Sequence, residues 1–141
     1  MVIEMRDGHD TELSRDEVRA VADALQILVV EKRDFLILHA DEARNYYVQF
    51  PSGYGVSTEV YCEAVADQWL DALHQIGARG ASELRALGWE KPTKRIQNWH
   101  RNFEFDVDDA VTRIEIAKDV LDTLRRVYGL GERGLRVELA E

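Results

Sequence analysis

Between Arg44 and Cys62 the chain places two extended runs on either side of a proline–glycine turn. The first reads Asn45-Tyr46-Tyr47-Val48-Gln49-Phe50, the turn Pro51-Ser52-Gly53, and the second Tyr54-Gly55-Val56-Ser57-Thr58-Glu59-Val60-Tyr61-Cys62. Aromatic and β-branched side chains at two-residue spacing, bounded by turn formers, specify strand–turn–strand. Tyr46, Val48 and Phe50 then share one face, with Tyr47 and Gln49 opposite. In the second strand Val56, Thr58, Val60 and Cys62 share a face, opposite Ser57, Glu59 and Tyr61. Phe35-Leu36-Ile37-Leu38, just upstream, shows no alternation, which predicts a strand covered on both faces. Three consecutive strands with short connections make an antiparallel meander.

Helices are expected on both sides of the meander. Ser14 offers an N-cap with Glu17 completing a capping box, and Leu13 and Val18 occupy the positions of a hydrophobic staple. Val18, Val21, Ala22, Leu25, Leu28 and Val29 follow at helical spacing. Glu63 to Ile76 reads as a second helix with Val65, Trp69, Leu70, Leu73 and Ile76 inward, or over 63–70 as a continuation of the preceding strand. Gly77-Ala78-Arg79-Gly80 reads as its stop. A short helix from Ser82 to Leu87 ends at Gly88, a residue suited to a left-handed cap. Trp99 to Phe105 reads as a strand with Trp99, Arg101, Phe103 and Phe105 on one side. Asp106 is placed to cap the last helix, in which Val107, Val111, Ile114, Leu121, Leu124 and Tyr128 form an inner stripe. Leu135, Val137 and Leu139 alternate with Arg136 and Glu138 as a final strand. The sum is an α+β fold: an antiparallel sheet, a meander of three strands plus one or two later ones, flanked by N-terminal and C-terminal helices. Residues 1–13 read as a charged leader and 14–141 as one domain, as suits a chain of 141 residues.

Charge narrows the partners. Eighteen basic against 27 acidic side chains give a formal net charge of −9. Such a surface repels nucleic acid and anionic lipid, and no run reaches the ~18 apolar residues of a membrane span. Cys62 is the one cysteine, so an internal disulfide is excluded; with no signal-peptide core at the N-terminus, a cytoplasmic protein is expected.

Catalytic and cofactor patterns fail on context. Gly129-x-Gly131-x-x-Gly134 has dinucleotide-motif spacing, but a helix precedes it and a strand follows, the reverse of what phosphate binding requires. Cys62 lacks a local base and orienting group, and reads as a small core hydrophobe. His9, His39, His74 and His100 are too scattered for a metal site, and Asp106, Asp108 and Asp109 are explained as helix-start charges. No cofactor is expected. Trp69, Trp89 and Trp99 suit either a core or an interface. On the last helix Ile116, Val120 and Val127 lie round from the inner stripe, which makes them, with Trp69, candidates for an interface between two copies of the chain.

Tyr46-x-Val48-Gln49-Phe50, a turn and strand leading into Glu63-Ala64-Val65, then Leu87-Gly88-Trp89-x-x-Pro92 and Asn98-Trp99 form an ordered series. It resembles the TY-Chap family of small bacterial domains, related to type III secretion chaperones and YbjN-like proteins. Ala66-Asp67 stands where that pattern has a Gly-rich turn and a polar pair. The resemblance implies a helix-flanked antiparallel sheet, often dimeric, that binds a protein segment and transforms no substrate. The expectation is therefore a non-enzymatic, chaperone-like homodimer whose acidic rims favour basic clients. The alternative is an acidic immunity-type inhibitor of a basic toxin.

Overall fold

A computed structural model of the chain describes residues 1–5, 15–53, 58–106, 108–131 and 134–141. Its six strands are β1 (Val2–Met5), β2 (Leu36–Asp41), β3 (Tyr46–Phe50), β4 (Glu59–Ala64), β5 (Trp99–Glu104) and β6 (Leu135–Leu139). They form one sheet in the order β1-β6-β2-β3-β4-β5, every neighbouring pair antiparallel. Three helices accompany it: α1 (Arg15–Val30), α2 (Gly77–Ala86) and α3 (Ala110–Tyr128). The expected meander is present as β2-β3-β4 and continues into β5. Beyond β5 the chain must return past four strand intervals, about 19 Å, to place β6 beside β2. The 19 residues of α3, about 28 Å of helix, span that distance.

Register sorts the two faces. Leu36 pairs with Phe50 and Leu139, and Leu38 with Val48 and Val137, so these side chains share the face under α1 and α3. All six are fully or almost fully buried, together with Val21, Leu25 and Leu28 of α1 and Val120, Leu121 and Leu124 of α3. Ile37 and His39 turn to the other face and are only half-buried. The expectation that β2 is covered on both faces is thus corrected: α1 and α3 pack on one face only. Ile37 alone breaks an otherwise alternating strand.

Four further expectations change. Val2–Met5 is not leader but edge strand β1, paired with Leu135–Glu138. Its short sequence is made a strand by a partner 130 or more residues away. The rest of the leader, and the Ser14 and Leu13 capping positions, lie outside the described residues. From Glu63 to Ile76 there is no α-helix: β4 runs to Ala64, followed by two single 3₁₀ turns, Asp67–Trp69 and Ala72–His74. Gly77–Gly80 opens α2 and does not stop a helix. Finally, α3 is capped by Asp109, whose Oδ1 accepts from Val111 N at 3.0 Å, and not by Asp106.

Two of the aromatic positions gain a structural account. Trp89 is buried and donates its indole N–H to Thr123 Oγ1 of α3 at 2.9 Å. Gly88, at φ 96°, makes the left-handed step that ends α2 and aims Trp89 inward. Arg101, the one charged residue on the covered side of β5, lies over Phe103 at 4.0 Å and donates to Leu87 O at 2.7 Å. A stacked guanidinium with a satisfied donor belongs on that face.

Candidate functional site

The segment from Ala66 to Ile76 has two 3₁₀ turns and no α-helix, and its backbone is held in place by side chains from elsewhere. Asn98 accepts from Ala66 N through Oδ1 at 3.0 Å. Asn45, at the turn before β3, donates from Nδ2 to Trp69 O at 3.1 Å, and Tyr46 OH donates to His74 O at 2.7 Å. Buried Tyr128 of α3 donates its hydroxyl to Val65 O at 2.7 Å. Asp67 reaches forward to α2, accepting from Ile76 N at 2.7 Å and from Gly77 N at 3.0 Å. Neither the helix's first residues nor the residue before them supply an acidic or hydroxyl cap, so this carboxylate takes that role against the positive end of α2.

The Asn98 anchor is itself organised by the uncovered face of the sheet. Glu63 accepts from Gln49 Nε2 at 2.9 Å, from Tyr61 OH at 2.8 Å and from Asn98 Nδ2 at 3.3 Å. Burial, with Glu63 close by, pushes both the Tyr61 and the Tyr47 hydroxyl above the ordinary phenol range, so both remain protonated, Tyr61 as the donor to Glu63. Gln49, Glu63 and Asn98 are far apart in sequence and form one hydrogen-bonded cluster that fixes where β4 ends and the Ala66–Ile76 segment begins.

Between that segment, the start of α2 and the loop at 92–97 lies an open cleft of about 550 Å³. Ala66, Ile76, Ala81, Pro92 and the ring of Trp99 give it an apolar lining, while Asp67, Gln68, Lys94 and Gln97 carry its polar groups. That size and mixture suit a few amino-acid side chains. On the same Ala66–Ile76 segment two large apolar side chains are left in solvent: Trp69 is 51% exposed and Leu73 93%.

The positions singled out from sequence separate here. Trp69 is exposed on the cleft segment. Ile116 and Val120 are buried in the protein's own core, and Val127 packs against its margin, because α3 is packed by α1, α2 and the sheet at once. Ile116 and Val120 are therefore not available as an interface, which corrects that expectation. Val111 and Ile114, placed on the inner stripe by sequence, are exposed instead at 62% and 38%. Leu73, Asp67 and Lys94 carry no site signal in the sequence: Leu73 has the spacing of a helix interior, and no local pattern links Asp67 to Gly77.

Cys62 is fully buried, and burial pushes its thiol well above the ordinary range even with Arg101 nearby. Gly129, Gly131 and Gly134 all have positive φ in a loop that follows α3 and leads into β6. Among the described residues there is no group of three potential metal ligands, and no helix is long and apolar enough to cross a membrane.

No curated protein and no solved structure matches the chain. A family model does, over residues 11–133: TY-Chap3, described as T3SS (YopN, CesT) and YbjN peptide-binding chaperone 3. The match runs from before α1 into the loop ahead of β6, and so takes in the meander, the Glu63 cluster and the cleft. The chain belongs to the TY-Chap3 family of peptide-binding chaperone domains.

Proposed function

We propose that this protein is a chaperone-like binder that holds a segment of a partner protein at the Ala66–Ile76 cleft, with Trp69 and Leu73 as apolar anchors. The observation that carries this reading is the pairing of a tethered backbone with two exposed large apolar side chains beside a 550 Å³ cleft. The tethers matter because a binding segment already fixed at Ala66, Trp69, His74 and Gly77 has little conformational freedom left to lose when a partner arrives. Burying one such side chain is worth about 1.5–3 kcal/mol, so two anchors supply roughly 4 kcal/mol, about a thousandfold in affinity. Family membership supports a peptide as the partner. The work of the site is capture and release, with no bond made or broken.

The test begins with peptides selected from a display library on the intact protein, their affinities then measured by calorimetry. Trp69→Ser/Leu73→Ser should weaken them by about a hundredfold or more while lowering the thermal midpoint by only a few degrees, because Leu73 is solvent-facing and Trp69 is half-covered. Selected peptides that bind the double variant as tightly as the wild type would remove the cleft from consideration.

A further inference from the structure

A second groove lies on the helical side of the molecule, between α1 and α3, with a volume of about 510 Å³. Its charge is opposite to that of the chain. Arg15, Arg19, Arg113 and Lys118 line it against a single carboxylate, Asp23, in a protein of net charge −9. Arg15 and Arg19 are one turn apart on α1; Lys118 comes from α3, about 100 residues later, so only helix packing brings the three together. Among the described residues none is ion-paired with Arg15, Arg19 or Lys118. Between the cations the lining is apolar, with Val18 and Ala22 buried beneath and Ile114 38% exposed.

We infer that this groove docks an acidic segment of a partner protein, carboxylates meeting Arg15, Arg19 and Lys118 and an apolar side chain covering Ile114. Charge complementarity carries the assignment. Elsewhere the surface is predominantly acidic and repels anionic chains, so a cationic groove with an apolar floor is the place where an acidic segment is accepted and oriented. A nucleic-acid strand fits less well, since a phosphate backbone meets repulsion outside these few cations and the lining offers it no aromatic ring to stack on. The groove is lined by none of the cleft's residues, so the inference stands apart from the cleft reading.

The experiment uses a short fluorescein-labelled peptide in which glutamates flank two leucines, its lysine counterpart, and a single-stranded oligonucleotide. Fluorescence anisotropy on the full chain should show binding of the glutamate peptide alone. Arg19→Glu/Lys118→Glu should weaken it by about tenfold or more, and Arg19→Lys/Lys118→Arg should not. Raising the salt until the screening length falls from about 10 Å to about 3 Å should do the same as the charge reversal. Trp69→Ser/Leu73→Ser should leave this binding unchanged, which keeps failure of the cleft and failure of the groove distinct. Equal binding of both peptides, tighter binding of the oligonucleotide, or indifference to the charge reversal overturns the inference. So does self-association, seen by sedimentation, that the charge reversal abolishes, since the groove would then belong to a second copy.

Discussion

Asp67 offers the most direct probe of how the cleft is built, because one carboxylate in the first 3₁₀ turn caps the start of α2. Replacing it with alanine removes two charge-assisted acceptors, at 2.7 and 3.0 Å, from the Ile76 and Gly77 amides. A cap of this kind is worth about 0.5–2 kcal/mol, and hydrogen bonds to a charged group lie at the upper end. The bond to Gly77 is exposed and the one to Ile76 only partly buried, so water replaces part of what is lost. About 2 kcal/mol is the expected cost of Asp67→Ala. Asp67→Asn keeps one acceptor oxygen but no charge against the helix end, and should cost about 1 kcal/mol. For a chain of this length 2 kcal/mol lowers the thermal midpoint by roughly 6–8 °C. Urea unfolding followed by far-ultraviolet circular dichroism, with the slope unchanged, gives the free energy directly. The same two variants should lose affinity for cleft-selected peptides in the same order, because the start of α2 forms one wall. If Asp67→Ala lies within about 0.3 kcal/mol of wild type, α2 does not depend on this carboxylate and the account of the cleft's rigidity is wrong.

Two further substitutions test the frame around the site. An added Cβ at Gly53 would lie 2.0 Å from Leu28 O, in the last turn of α1, and 2.6 Å from Arg33 O, in the turn that follows it. No rotamer change relieves that overlap, so Gly53→Ala should destabilise by about 3 kcal/mol, and an unchanged urea midpoint would contradict it. Cys62 should resist a thiol reagent in the native protein at about pH 8 and react on unfolding. Its raised folded pKa also sets a sign: the contribution to stability is fully present below the ordinary thiol value of ~8.5 and is lost as pH rises beyond it, when the unfolded chain ionises first. The buried tyrosines add their own alkaline loss, so the thiol's share is the difference between wild type and Cys62→Ala over about pH 8–10. Identical pH dependence in the two proteins would show that the thiol is not protected.

Where structure was legible in the sequence, the signal was local. Tyr46-Tyr47-Val48-Gln49-Phe50 and Leu135–Leu139 alternate with the pleat, and α1 carries an unbroken helical stripe; each pattern depends on neighbours a few residues away. The cleft segment misled for the same reason. Val65, Trp69, Leu70, Leu73 and Ile76 have helical spacing, but Val65 and Leu70 are buried while Trp69 and Leu73 face solvent. Bonds from Asn45, Tyr46, Asn98 and Tyr128 hold the backbone in another shape, and none of those partners is near in sequence. Within the resemblance series, Gln49, Glu63 and Asn98 are readable as an identity, but their meaning as a brace for the cleft is not.

The sequence by itself determined the class of fold, the meander, the acidic balance and the family, since these follow from composition, periodicity and an ordered set of residues. Tertiary structure decided which apolar side chains are spare. Ile116 and Val120 lie inside because α3 has neighbours on several sides, whereas Trp69 and Leu73 lie outside because their segment is tethered away from helix. It also decided the sign of the α1–α3 groove, where cations from distant stretches are brought together. Burial and local potential are properties of what packs against a residue, and that is set by contacts between segments the chain keeps far apart.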